Sequence, residues 1–262
     1  MSGDRQQEEQ RYARDYDKLF AGFKHYSREV HFAAEQLVKW VGAGARVIDI
    51  GCGTGSHIVA LAQLGFSCLA LDENKAILQQ LLQKAAAAEI SVETMSGDMR
   101  RFVLPEPVDG AIQFFYVLQN ALYTRSEQTA CLIAIRNALK PGGIFLADWL
   151  PEENNLRLYP PGERFQLEER LLADATRQRV WSQAVIRSET VRDLIFHYER
   201  SLPDGRVETE TVVSPMARLT ADDVRLLLAE AGFDLLGEYG GYADDEPFNL
   251  NSHRLVTLAR RR

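Results

Sequence analysis

Residues Val47-Ile48-Asp49-Ile50-Gly51-Cys52-Gly53-Thr54-Gly55-Ser56 join an acid and three alternating glycines to the start of an apolar helical run. That order suits a buried strand, a tight turn and a helix N-terminus. Glycine has no Cβ and tolerates positive φ, so a ligand can approach such a turn closely. The first N–H groups of the next helix then face that ligand. The spacing is G-x-G-x-G, not G-x-G-x-x-G, and by itself it also fits a tight βα turn with no ligand. A second acid, Asp72, with Glu73 beside it, closes the next apolar run, Phe66–Leu71. An acid about 20 residues after the turn, at the tip of the second strand, suits a ribose diol. The chemistry so far is the grip on a nucleoside.

These residues resemble the class I methyltransferases that use S-adenosylmethionine. In that family the D-I-G-C-G-T-G loop holds the cofactor's amino-acid end, and the second-strand acid holds the ribose. Gly97-Asp98-Met99 extends the resemblance. There the family's acid meets the adenine amino group, and the next residue packs on the ring. Leu139-Lys140-Pro141-Gly142-Gly143, ahead of an apolar strand, is also frequent in the family. The resemblance implies S-adenosyl-L-methionine as cofactor, held by Asp49, Gly51, Cys52, Gly53, Gly55, Asp72, Glu73, Asp98, Met99 and Phe115. Tyr16-Asp17 is similar to a Y-D pair of the small-molecule enzymes, which makes Tyr16 a candidate for the cofactor's carboxylate or the acceptor side.

The elements that must position these residues follow from pattern. Tyr12, Tyr16, Phe20 and Phe23 share one helical face by their spacing. That helix either docks on the core or covers the cofactor and excludes water. A second helix covers Val30–Val41. Strands are expected over 46–50, 66–71, 90–95, 108–115 and 144–150, with helices between them. Asn74 is the expected cap of the helix after the second strand, and Thr220 with Asp223 forms an expected capping box. Pro141 and the glycines after it are expected to stop a helix at Leu139. Residues 151–162 read as a loop, and 163–216 as an antiparallel insertion with a hairpin turn at Leu202–Arg206.

With the resemblance, the expected fold is a Rossmann-like α/β methyltransferase sheet. It has seven strands in the order 3-2-1-4-5-7-6, the last antiparallel. Residues 1–43 form a helical cover, 44–150 and 217–262 the core, and 151–216 an acceptor-side lid. Ligands bind beyond the C-terminal ends of parallel strands. Phe115–Asn120 should therefore lie near the reacting methyl. Tyr12, Tyr116, Asn120 and Trp149 are the candidate acceptor contacts.

Methyl transfer from a sulfonium needs alignment and exclusion of water more than acid–base help. A hydroxyl acceptor generally needs a base; an amine need only be neutral. No Ser–His–Asp set or paired carboxylates stand out, which favours an amine. His197 is the one histidine to test as a base, and Tyr16 the other catalytic candidate.

The chain has 262 residues and a net charge of −7, which argues against an extended nucleic-acid surface. It also lacks the [N/D]-P-P-[Y/F] motif of base-amino methyltransferases. Three cysteines without C-x-x-C pairing suit a reduced, cytoplasmic protein and no metal site. No apolar run reaches the ~20 residues of a membrane span. The expectation is a small-molecule methyltransferase, N- over O-directed, as monomer or homodimer. The alternatives are a non-catalytic S-adenosylmethionine-binding regulatory module, an RNA- or protein-directed methyltransferase, and a nicotinamide dehydrogenase.

Overall fold

Val47, Ile48 and Ile50 alternate along β1 (Arg46–Ile50), and the strand is buried on both faces. Val47 packs with one hydrophobic cluster, and Ile48 and Ile50 with the other. A strand covered on both sides is the mark of a parallel sheet between helical layers. The computed structural model describes residues 26–172 and 174–262. The expected aromatic helix, with Tyr12 and Tyr16, lies outside them.

The main sheet has seven strands. They are β1, β2 (Ser67–Asp72), β3 (Glu93–Ser96), β4 (Val108–Gln113), β5 (Leu139–Trp149), β10 (Phe233–Tyr239) and β11 (Leu255–Arg261). Their order is β3-β2-β1-β4-β5-β11-β10. With β10 and β11 as the sixth and seventh core strands, this is the expected 3-2-1-4-5-7-6. β11 runs antiparallel to β5, and the first five strands pair in parallel. One face is covered by α1 (Tyr26–Val41), α2 (Ser56–Gln63) and α3 (Lys75–Ala87), through Leu37, Ile58, Leu61, Leu78 and Leu81. The other is covered by α5 (Arg125–Ala138) and α7 (Ala221–Glu230), through Leu132, Ile135, Val224 and Leu227. Between β4 and α5 lies a short helix, α4 (Val117–Ala121).

The caps follow the sequence. Asn74 Oδ1 accepts from the Ala76 and Ile77 N–H groups at 2.9 and 3.3 Å. Thr220 and Asp223 form the reciprocal box, and Thr124 with Glu127 forms a second. The 139–143 segment differs from expectation. Helix α5 ends at Ala138, and Leu139 already pairs with Val108 as the irregular start of β5, with Gly142 at φ +78°. Residues 151–162 also contain a helix, α6 (Glu152–Leu158). Pro151 precedes it at φ −60°, a conformation its ring presets. The terminal arginines are anchored. Arg262 donates to Asp234 Oδ1 at 2.9 Å and to the Phe233 carbonyl at 2.9 Å.

The insertion is a separate antiparallel sheet in the order β6-β7-β8-β9. Its strands are Arg164–Leu171, Arg177–Ile186, Val191–Ser201 and Val207–Ala217. A turn at Leu202–Arg206 closes β8 on β9, the Gly205 N–H donating to the Leu202 carbonyl at 3.0 Å. Two polar joints seat this sheet beside the core. Gln119 Nε2 donates to the carbonyls of Leu150 and Ala217 at 3.2 and 3.0 Å. Glu152 receives Arg192 and Arg218, each at 2.8 Å. Among the described residues no helix is long and apolar enough to cross a membrane.

Candidate active site

The C-terminal ends of β1, β2, β4 and β5 open into one cavity of about 840 Å³, roofed by the inserted sheet. Its first half is built from the sequence motifs. Gly51, Gly53, Asp72, Glu73, Gly97, Asp98 and Met99 all line it. The turn after β1 needs its glycines: Gly51, Gly53 and Gly55 stand at φ +71°, +53° and +79°. Asp72 fastens this turn to the next strand. Its Oδ2 accepts from the Gly53 N–H at 3.1 Å and its Oδ1 from the Asn74 N–H at 2.9 Å. Burial raises the Asp72 carboxyl above its ordinary range, against these backbone donors. Asp98 is held differently. Arg100 grips both of its oxygens at 2.8–3.1 Å and keeps its pKa down at about 2.

Three other motif residues lie behind the wall. Asp49 and Cys52 are buried, and neither lines the cavity. Gly55 is also away from it. A Cβ there would stand 2.4 Å from Leu81 Cγ, so this glycine makes room for α3 and not for a ligand. Gly55→Ala is expected to cost about 1–3 kcal/mol by overpacking a filled core. Urea denaturation of the two proteins measures it.

The second half holds the acceptor candidates. Phe115 and Tyr116 line it, stacked at 5.9 Å, and both have positive φ (67° and 57°). Such backbone is uncommon for bulky residues and costs energy that the surroundings must offset. Part of that support is visible. Asn120 Nδ2 donates to the Phe115 carbonyl at 3.1 Å, and the Tyr116 N–H donates to Asp148 Oδ1 at 2.8 Å. Asn120 lines the cavity, and its Oδ1 has no hydrogen-bond partner among the described residues.

Trp149 is not brought to the site. It is buried in the core, with its indole N–H on Thr257 Oγ1 at 2.9 Å. Successive strand residues point to opposite faces. Asp148 and Trp149 therefore separate, and only Asp148 turns toward the Tyr116 side. His197 is also turned away. Leu194 and Phe196 of β8 face the cavity, whereas His197 pairs across the sheet with Trp181 and Thr211 and meets Gln183 Oε1 at 3.2 Å. Partial burial lowers its pKa, with help from Arg164.

A polar cluster missed in the sequence sits where the two halves meet. Tyr242 donates to Asp148 Oδ2 at 2.6 Å, and Arg254 donates to the Tyr242 oxygen at 3.1 Å. The Arg254 guanidinium lies 5.6 Å from the Tyr116 ring centroid and 5.0 Å from that of Tyr242. Glu29 lines the cavity beside it and binds His57. Burial pushes Asp148 up to about 6, opposed by Arg254 and the two hydrogen bonds. Between 3.8 and about 6 the folded chain thus holds a proton that the unfolded chain releases. Stability from this group is present at low pH and falls as pH rises through that window. Asp148→Asn should flatten that fall, read as melting temperature against pH. An unchanged slope would contradict the assignment.

Two residues from distant segments complete this second half. Tyr159 follows α6, and His253 precedes β11. Both line the cavity, and the Tyr159 hydroxyl meets His253 Nδ1 at 2.8 Å. No group of three or more His, Cys, Asp or Glu residues able to hold a metal occurs among the described residues.

Residues 47–143 match the family described as "Methyltransferase domain". The cypemycin N-terminal methyltransferase of a Streptomyces species is 26% identical over 241 residues, covering 86% of this chain and 89% of that relative. A solved amino pentose methyltransferase from Micromonospora echinaspora, CalS10 with S-adenosylmethionine bound, superposes with a TM-score of 0.78 at 22% identity, over 94% of this chain and 96% of that one. An S-adenosylmethionine-dependent methyltransferase from Clostridium acetobutylicum gives 0.78 at 15% identity, over 96% and 98%. The sheet order is that of the class I methyltransferase fold, and over residues 47–143 the chain matches a methyltransferase domain, similar to methyltransferases that use S-adenosylmethionine.

Proposed function

We propose that the chain transfers a methyl group from S-adenosylmethionine to the nitrogen of a small amine with an apolar body. The observation that carries this reading is the single cavity joining the glycine-turn half to an apolar half under the inserted sheet. The first half fits the cofactor by donor set. Asp72 and Glu73 offer acceptors to a ribose diol, and Met99 offers a soft apolar contact to a base. Asp98 already takes four hydrogen bonds from Arg100, about the capacity of a carboxylate, so an exocyclic amine would have to exchange with one of them. Glu29 and Asp72 add negative charge, which favours a cationic ligand.

When bound, the cofactor supplies a methyl already activated by its positive sulfur. The chain's own residues align and dry the site. Phe115 and Tyr116, on their strained ridge, form the wall beside the transfer position. Leu194, Phe196 and Met216 of the inserted sheet exclude water and bury an apolar acceptor body. Alignment of this kind can supply several kcal/mol of the barrier reduction. The amine preference is supported by the relatives, whose names describe an N-terminal methyltransferase and an amino pentose methyltransferase.

Calorimetry with S-adenosylhomocysteine, then labelled-methyl transfer to a panel of amines and phenols of graded apolarity, tests this. The expected result is binding at one site and turnover of apolar amines over phenols. Binding without transfer to any panel member would support a binding module instead. Phe196→Asp should lower turnover of apolar amines at least tenfold while cofactor affinity stays within about twofold, since burying an unpaired charge in the acceptor wall disfavours an apolar body.

A further inference from the structure

An aliphatic amine enters neutral water mostly as an ammonium ion, which has no lone pair to attack with. Under the proposed N-methylation, a proton must leave before transfer. His197 cannot take it, because it faces away from the cavity.

Tyr159 and His253 both line the cavity and are linked by a hydrogen bond that leads to an exposed ring. Antiparallel pairing of Leu255 with Trp149 brings the residue before β11 to the C-terminal edge of the parallel strands. His253 therefore sits at the cavity rim, next to Arg254, whose guanidinium lies over the Tyr116 ring. Tyr159 is fixed from three sides. Its N–H donates to the Asn155 carbonyl at 2.8 Å, its ring packs edge-on to Phe165 at 5.2 Å, and its hydroxyl meets His253 Nδ1 at 2.8 Å. Tyr159 is half-buried, and His253 is exposed. A phenol donating its proton to Nδ1 keeps its oxygen lone pairs as acceptors. An ammonium in the cavity can donate to that oxygen.

We propose that Tyr159 and His253 form a proton relay that carries the acceptor's excess proton from the cavity to solvent. An N–H bond of the ammonium breaks, and its proton forms a bond to the Tyr159 oxygen. The phenol's own proton moves to His253 Nδ1, giving an imidazolium and leaving the phenol neutral. The imidazolium releases a proton to water at its exposed side. The amine, now with its lone pair, forms the N–CH3 bond as the C–S bond breaks and its electrons stay on sulfur. Burial raises the Tyr159 pKa, against Arg254, so the phenol enters the step protonated.

This inference rests on the methyltransferase reading, so its test has an arm that needs no acceptor. Nitrogen-15 histidine NMR of the full chain, wild type and Tyr159→Phe, reports which His253 nitrogen carries hydrogen in the neutral ring. The relay requires Nδ1 as acceptor and the Nε2–H form in the wild type, with that preference lost in Tyr159→Phe. An Nδ1–H form in the wild type would overturn it. The second arm measures single-turnover methylation of two amine classes at one pH: alkylamines, which are ammonium ions there, and anilines, which are already neutral. Tyr159→Phe should slow the alkylamines about a hundredfold, in the range of general acid–base catalysis, and the anilines less than twofold. Equal loss for both classes would reduce Tyr159 to a packing residue. Transfer to phenols alone, still dependent on Tyr159, would sink the amine reading and leave the relay standing.

Discussion

Asp72→Ala should weaken S-adenosylhomocysteine binding by about ten- to a hundredfold, the effect of losing a charge-assisted hydrogen bond of about 1.5–3 kcal/mol. The proposed contact is only part of the effect. The Asp72 carboxylate also holds the Gly53 and Asn74 N–H groups, so it shapes the turn as well as facing the cavity. Asp72→Asn separates these roles. Its amide oxygen can still accept from a backbone N–H, but the charge is gone. An affinity for Asp72→Asn between wild type and Asp72→Ala is expected by calorimetry. Unchanged affinity in both variants would remove Asp72 from the cofactor site.

Glu152→Ala should destabilise the protein by about 3–5 kcal/mol, the cost of leaving a buried charge without its partner. Arg192 is 1% exposed and reaches Glu152 Oε2 at 2.8 Å. Arg218 takes the other oxygen of the same carboxylate, and Glu152 itself opens α6. The joint thus ties β8 and the end of β9 to the segment that carries Tyr159. Chemical denaturation measures the loss, and hydrogen exchange locates it. Faster exchange in β8 and β9 than in β1 is expected, because the sheet would detach before the core opens. A loss under about 1 kcal/mol would mean that the Leu150 carbonyl and the Met216 sulfur suffice for Arg192.

The glycine-turn half of the cavity was legible in the sequence because its residues are local to strand tips. Gly51, Gly53, Asp72, Asp98 and Met99 each follow a β-rich run, and parallel pairing alone brings those tips together. Gly55, Asp49 and Cys52 mark the limit of that logic. They belong to the motif but do not line the cavity: Asp49 and Cys52 are buried, and Gly55 makes room for Leu81. The half under the inserted sheet was much less legible. Asp148 and Trp149 are adjacent in sequence, yet strand alternation sends them to opposite faces. The side of β8 that faces the cavity is set by where Gln119 and Glu152 seat the sheet, which no local pattern encodes. Tyr159 and His253 lie 94 positions apart, in segments read as loop and connection, and only the antiparallel return of β11 joins them.

The most direct test of the central claim is mass spectrometry of an apolar alkylamine after incubation with the full chain and methyl-deuterated S-adenosylmethionine. The account predicts one or more labelled methyl groups on nitrogen, formed by the wild type and at least tenfold more slowly by Tyr159→Phe. Tight S-adenosylhomocysteine binding with no labelled product from any amine in the panel would contradict it.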